Sequence, residues 1–323
     1  MCTAITFNAK DHYFGRTLDL EYSYNETVTV TPRRYPFSFK NGTRLDSHYA
    51  FIGMATVSDN YPLYYEATNE KGLSVGGLNF PGNAVYYDPS KEKLNLASFE
   101  LIPYILSTCA TVNEAKKILE KANITDIAFS SEFPLSPLHW IIADKTCAIT
   151  AESTAAGLKL YDNPVGVLTN NPEFDYHLLH LSTFMNLSPH PAFNLMSNKL
   201  NLQSFSRATG ALGLPGDCTS QSRFVRASFN KLNGAVFESE EENVNQFFHI
   251  LSSVEQIKGT VKTEKNKDVI TVYTSCCNTQ RGIYYYITYL NRSIYAVDLN
   301  KEDLDSEQLV THALRKPKFD FCN

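Results

Sequence analysis

The sequence predicts an α+β fold: two packed, mainly antiparallel sheets flanked by helices. Short β-branched or aromatic runs separated by tight turns open and close the chain, as antiparallel neighbours require. Helical patterns come in clusters rather than one after each strand, which argues against a doubly wound parallel sheet. The length of 323 residues alone suggests about two domains. No linker, repeat or low-complexity tract divides the chain, however, so one domain spanning 1–323 is expected.

Residues 3–7 and 13–16 read as strands joined by a polar turn, a predicted hairpin. Residues 27–31 alternate and stop at Pro32. Strands at 49–55 and 63–67 precede a turn at 69–72, and a small-residue strand over 73–80 ends at Pro81-Gly82. Leu96, Phe99, Leu101, Ile102, Ile105 and Leu106 predict an apolar helix. Thr111 with Glu114 three residues later predicts a capping box that opens a second helix through Leu119. Residues 123–137 are polar and broken by proline, a predicted loop carrying Phe129, Phe133 and Leu135. Strands resume at 139–143, 147–151, 158–161 and 165–168. Helices are expected at 175–183, 220–232 and 240–253, and final strands at 269–275, 282–289 and 294–299.

Composition narrows the function. Apolar residues make up 43% and charged residues 20%, an ordinary globular balance. Against 34 acidic residues stand 29 basic ones, a net charge of -5 that offers no electrostatic footprint for nucleic acid. An anionic substrate stays compatible, because one local arginine outweighs a diffuse field. Seven cysteines without a C-x-x-C pair are no disulfide scaffold. Lys10 and Asp11 interrupt the first apolar stretch, and no 18-residue apolar run exists. A cytoplasmic protein with reduced thiols and no membrane partner is expected, and the sequons at Asn25, Asn41, Asn123 and Asn291 are then unused.

Cys2 is the most informative residue. It heads a β-branched strand that must be tied into a sheet, at a position where chains usually fray. With Met1 removed it would offer both a thiol and an α-amine, whose reference pKa of about 7.7–8.0 suits proton transfer at neutral pH. Nucleophile and base would then belong to one residue. The alternative is an incidental residue after the start codon. The hairpin brings Arg16 and Asp19 back beside Cys2. An inward Asp19 would hold the amine and an inward Arg16 would favour the thiolate; otherwise they form an ordinary surface pair.

Oxyanion donors are sought at Asn79 and Asn170, each at a strand end near proline, where a simple turn is the competing explanation. Gly76 and Gly77 would allow close backbone approach to Asn79. Arg223 falls in the first turn of a helix that Ser220 would cap. A cation is unfavourable there, which hints at an anionic partner, whereas Arg226 is expected in solvent. Tyr22, Tyr24, Phe129 and Phe133 would line an apolar pocket or pack beneath loops.

Three motifs mislead. Gly72-Leu73-Ser74-Val75-Gly76 matches the G-x-S-x-G elbow but lacks the helix that motif needs. His177 and His180 have metal-ligand spacing but no third ligand, so a helix-surface pair is expected. Adjacent Cys276 and Cys277 favour strand burial over a disulfide.

Met1-Cys2-Thr3, Phe14-Gly15-Arg16-Thr17-Leu18-Asp19, Asn69-Glu70-Lys71-Gly72-Leu73, Gly77-Leu78-Asn79-Phe80-Pro81, Leu168-Thr169-Asn170-Asn171-Pro172 and Gly213-Leu214-Pro215-Gly216-Asp217 together resemble the choloylglycine hydrolase family. These are the conjugated bile acid hydrolases and penicillin V acylases of the N-terminal-nucleophile superfamily. The resemblance covers the whole chain. It implies a four-layer αββα fold, a homotetramer, and no metal or organic cofactor. It also implies catalytic roles for Cys2, Arg16, Asp19, Asn79, Asn170 and Arg223, with no departure at the six. Asn79 follows the bile acid hydrolase branch, since many penicillin V acylases carry tyrosine there. Leu18, Tyr24, Ser58, Phe129 and Phe133 would contact the substrate. Ser58 is small where close relatives carry an aromatic.

The implied reaction is attack of the Cys2 thiol on the amide of a glycine- or taurine-conjugated bile acid, followed by thioester hydrolysis. Penicillin V acylase or another N-terminal-cysteine amidase is the alternative. A non-catalytic binder of amphipathic anions, marked by loss of Cys2 or Asp19, is the alternative of another class.

Overall fold

The computed structural model describes residues 1–317 and 321–322. Its first strands, β1 (Cys2–Asn8) and β2 (His12–Leu20), form the expected hairpin with Cys2 opposite Leu18 and Ala4 opposite Arg16. Then come β3 (Thr27–Thr31), β4 (Phe51–Ser58), β5 (Tyr61–Asn69) and β6 (Ser74–Asn79). After two helices follow β7 (Leu138–Ala143), β8 (Ala148–Thr154), β9 (Gly157–Asp162) and the short β10 (Val167–Leu168). The last strands are β11 (Ile270–Asn278), β12 (Ile283–Thr288), β13 (Tyr295–Asp298) and β14 (Val310–Ala313). They build a six-stranded sheet, β10-β1-β2-β11-β12-β13, and an eight-stranded sheet, β9-β8-β7-β6-β5-β4-β3-β14. Every strand pairing within these two sheets is antiparallel.

Helices cover both outer faces. α1 (Leu101–Thr108) and α2 (Val112–Leu119) lie on the larger sheet, where Leu101 and Ile105 share a core with Val75, Trp140 and Ile142. α3 (Phe174–Leu181) leads to α4 (Ser220–Asn233) and α5 (Glu240–Ser252), which cover the smaller sheet. The order of layers is αββα. Strand alternation sorts the side chains: on β7, Trp140 and Ile142 face α1 and α2, while Ile141 joins the core between the sheets. Gly76 permits the sheets to approach, since a Cβ there would stand 3.2 Å from Phe14 Cζ.

Several expectations need correction. The helix expected from Leu96 starts at Leu101, because Leu94–Ala97 is a strand paired in parallel with Ala122–Thr125. The predicted loop therefore opens with a strand, whose Ile124 is buried beside Leu96 under the helices. Thr111 Oγ1 does cap α2 by accepting from Glu114 N, but the Glu114 carboxylate reaches back to Ala110 N rather than to Thr111 N. Thr219, not Ser220, caps α4, accepting from Ser222 N. Ser74 lies within β6, 2.8 Å from Thr68 Oγ1, and no helix follows to make it a nucleophile. Cys276 and Cys277 are buried and unpaired in β11.

Candidate active site

Residues directly opposite in an antiparallel pair point to the same face. Cys2, Arg16, Leu18 and Leu20 therefore share one face of the β1–β2 hairpin, and all four line a cavity of about 250 Å³ between the sheets. Tyr24, Leu63, Phe129 and Phe133 supply apolar wall. Cys2 is 1% exposed, so its sulfur lies at the cavity floor rather than in solvent.

Arg16 is anchored behind the thiol. Its Nη1 donates to Tyr65 O at 3.2 Å and to Gly77 O, and its Nε to Thr17 O, while buried Nη2 has no partner among the described residues. Glu66 Oε2 lies 3.8 Å from Arg16 Nε, and this carboxylate also accepts from Tyr273, Ser275 and Tyr284 across the sheets. Burial alone would make Arg16 easier to deprotonate. The neighbouring Cys2, Tyr273, Glu66 and Asp19 more than reverse that and keep the guanidinium charged. Glu66 is held above the usual carboxylate range by burial, against the pull of Arg16 and the hydroxyls.

Arg16 and Asp19 are both buried rather than paired at the surface, and strand periodicity puts them on opposite faces of the hairpin. Positions 16 and 19 differ by an odd number, so Asp19 joins Thr3 and Thr17 on the opposite face, toward α4. Asp19 is wholly buried and accepts from Thr17 Oγ1 at 3.1 Å and Thr271 Oγ1 at 2.7 Å. Burial pushes its carboxyl up; the terminal ammonium, Arg223 and the two threonines partly oppose that. The Met1 ammonium donates to Asp19 O at 2.7 Å, and Cys2 N donates to Asn170 Oδ1 at 2.9 Å.

Arg223 reaches this face from the first turn of α4. It donates to Asn170 Oδ1 at 2.7 Å, Thr3 Oγ1 at 2.6 Å, Cys2 O at 2.5 Å and Cys218 O at 3.1 Å. Burial lowers its pKa, with Asp19 and Cys2 opposing. Asn170 Nδ2 donates to Asn79 O at 2.7 Å, which joins the strand end of β6 to the chain terminus. Ser220 supports the same segment by accepting from Asn170 N.

Cys2, Arg16, Asp19, Asn79, Asn170 and Arg223 are thus assembled around the start of β1. Leu18, Tyr24, Phe129 and Phe133 line the cavity; Ser58, paired with Tyr61 at the far end of its hairpin, does not. Tyr22 is half exposed beside Tyr24 and is also absent from the wall. Arg226 is not free in solvent: its guanidinium straps Ser253 O, Pro215 O and Asp217 O. His177 is not at the helix surface but buried against Phe224, with Nε2 at 2.8 Å from Asn170 O. Sequence reasoning missed Glu66 and Thr271. For Glu66 the signal was an acidic residue in the middle of the aromatic strand Tyr64-Tyr65-Glu66-Ala67.

The family model described as linear amide C–N hydrolases, choloylglycine hydrolase family, matches residues 2–312. The chain is 52% identical over 315 residues to a bile salt hydrolase/transferase of Lactiplantibacillus plantarum, covering 98% of this chain and 97% of that one. It is 39% identical to the bile salt hydrolase/transferase of Clostridium perfringens, covering 98% of each. The crystal structure of variant R18L of the C. perfringens conjugated bile acid hydrolase superposes with a TM-score of 0.91 at 36% identity, covering all of both chains. Penicillin V acylase from Agrobacterium tumefaciens shares the fold, with a TM-score of 0.77 at 21% identity, covering 97% of this chain and 91% of that one. The assembled terminus and these likenesses agree: the chain belongs to the choloylglycine hydrolase family of linear amide C–N hydrolases.

Proposed function

We propose that this enzyme hydrolyses the amide bond joining a bile acid to glycine or taurine, with Cys2 as nucleophile after removal of Met1. One observation carries the reading: Cys2 presents its sulfur to an apolar cavity while its nitrogen is held on the other side by Asn170. The names of the relatives support the substrate class.

In this mechanism the thiol proton passes to the α-amine, and sulfur bonds to the amide carbonyl carbon. Arg16 favours the thiolate by its charge. The second hydrogen of Asn170 Nδ2 and a backbone N–H near Asn79 stabilise the oxyanion. The C–N bond then breaks as the α-ammonium returns its proton to the leaving amine. Water attacks the thioester, gives its proton to the same amine, and the thiol is regenerated. Asp19 and Arg223 orient the amine, and the wall around Leu18, Tyr24, Phe129 and Phe133 takes the steroid.

An N-terminal extension that keeps the Cys2 nitrogen in a peptide bond is expected to abolish glycocholate and taurocholate hydrolysis while the fold remains intact. An extended, uncleaved enzyme with full activity would overturn the reading. Penicillin V in the same assay separates the acylase alternative, whose chemistry is shared and whose pocket differs. The amphipathic-anion binder is disfavoured because Cys2 and Asp19 are both present.

We extend the proposal to a single functional domain, a cytoplasmic location and a homotetramer. The family match over residues 2–312 supports the first. Seven cysteines, none in a disulfide, suit a reducing compartment. No helix of the described residues is long and apolar enough to cross a membrane. Between α3 and α4, Met185, Phe193, Leu195, Met196 and Phe205 are each at least 82% exposed, an apolar display that association would cover. Light scattering should give a tetramer mass that Phe193→Ser/Leu195→Ser lowers. A monomeric wild-type enzyme would end that part of the proposal.

A further inference from the structure

We propose that His139 and His177 form a two-point clamp that positions Asn170 for acyl transfer. Asn170 is the hub of the terminus: its side chain meets Cys2 N, Arg223 and Asn79 O. Yet it stands just beyond β10, where sheet pairing has ended. Its orientation therefore depends on side chains. Ser220 Oγ accepts from Asn170 N, His177 Nε2 lies 2.8 Å from Asn170 O, and His139 Nε2 lies 3.1 Å from Thr169 O.

Both carbonyls are acceptors only, so both Nε2 atoms carry hydrogen, an assignment that follows from the network. Each ring is fixed from behind. His139 is fully buried, stacked 4.3 Å from Phe80, with its Nδ1 2.9 Å from Glu152 Oε1. One proton lies between that nitrogen and that oxygen. The other carboxylate oxygen of Glu152 accepts from Phe174 N, the first residue of α3, so the two histidines are linked through the helix that carries His177. His177 is stacked 4.9 Å from Phe224, the neighbour of Arg223 on α4. Its Nδ1 is buried without a partner among the described residues. Burial brings its pKa down to about 4, consistent with a neutral donor ring. Neither histidine lines the substrate cavity, so both are positioning residues.

The test rests on the thiol-hydrolase reading for turnover and adds a readout that does not. His177→Phe keeps a ring beside Phe224 but removes the donor; His177→Gln keeps a terminal N–H. With glycocholate, His177→Phe should lower kcat roughly 10- to 100-fold, the scale of a misplacement of about 1 Å, with KM within about threefold. His177→Gln should recover to within about fivefold of wild type. Hydrogen exchange of a peptide spanning residues 167–172 should quicken in His177→Phe and not in His177→Gln. Wild-type kcat and unchanged exchange in His177→Phe would overturn the clamp, as would a His177→Gln enzyme no better than His177→Phe. Should His177→Phe not fold, the double variant His139→Leu/Glu152→Met removes both members of the other buried pair. Unchanged kcat and exchange there overturn the proposal equally. A wild-type enzyme inert toward glycocholate would count against the substrate, and the exchange comparison would still decide the clamp.

Discussion

On the cavity face of the β1–β2 hairpin, Cys2, Leu18 and Leu20 make an apolar floor with one buried cation, Arg16. On the opposite face, Thr3, Thr17 and Asp19 meet Arg223 and Thr271 in a closed polar network. The two faces belong to the same strands and differ only in the parity of the residue number. The separation is useful at a chain terminus. A mid-strand residue directs its side chain to one face and gives its backbone nitrogen to the ladder. The first residue of a strand has a nitrogen free to be held from the other side. Sulfur and nitrogen of Cys2 thereby sit in different environments: the first at the cavity, the second in the polar network.

The largest effect should come from breaking the polar face. Asp19→Asn keeps one acceptor oxygen for a threonine hydroxyl and turns an N–H toward the other, and it loses the charge beside the terminal ammonium. We expect kcat to drop about 10²- to 10⁴-fold, the range of a lost proton-transfer role, with the fold retained. A change confined to KM would show that Asp19 serves substrate binding instead.

Breaking the cavity face should also cost stability. Arg16→Met leaves Glu66 buried without its opposite charge, for a loss on the order of 3–5 kcal/mol in urea unfolding. The double variant Arg16→Met/Glu66→Gln should recover most of that stability, because an amide can still meet Tyr273, Ser275 and Tyr284. Its turnover should stay low, because the thiol has lost its neighbouring cation. Recovery of turnover together with stability would mean that Arg16 only balances Glu66.

Much of this architecture was legible from local pattern. Alternation marked β1 and β2, and Thr111 with Glu114 marked the start of α2. The site itself was not readable by spacing. Asn170 and Arg223 lie 53 residues apart yet are joined by a hydrogen bond from the guanidinium to the amide oxygen, and only the family resemblance brought them together beforehand. Glu66 escaped because an acidic residue in an alternating strand reads as solvent-facing, whereas both faces of this sheet are covered. His177 escaped for a similar reason. Its i,i+3 spacing with His180 suggests a surface pair, but α3 is wedged against α4, so only one of the two faces outward. The parallel pair at Leu94–Ala97 and Ala122–Thr125 consists of two four-residue segments whose partnership no local rule reveals.

The buried titratable groups also predict how stability responds to acid. Burial depresses both His12 and His177 from 6.5 to about 4. Between those values the unfolded chain takes up protons that the folded chain refuses. The contribution of each histidine is therefore complete above pH 6.5 and is lost as the pH falls toward 4. Asp19 and Glu66 work in the opposite sense, since burial raises them: their contribution is present below the unfolded carboxylate range and is lost as the pH rises. Absolute curves mix these terms, but a comparison with His177→Gln isolates one of them. Relative to wild type, that variant should gain up to about 3 kcal/mol between pH 7 and pH 4, at most about 1.4 kcal/mol per pH unit. Urea midpoints at three or four pH values suffice to measure it. A difference that stays flat across the interval would mean that His177 takes up its proton as readily in the folded enzyme as in the unfolded chain, and a ring so easily charged in that place could not be the quiet donor that holds Asn170.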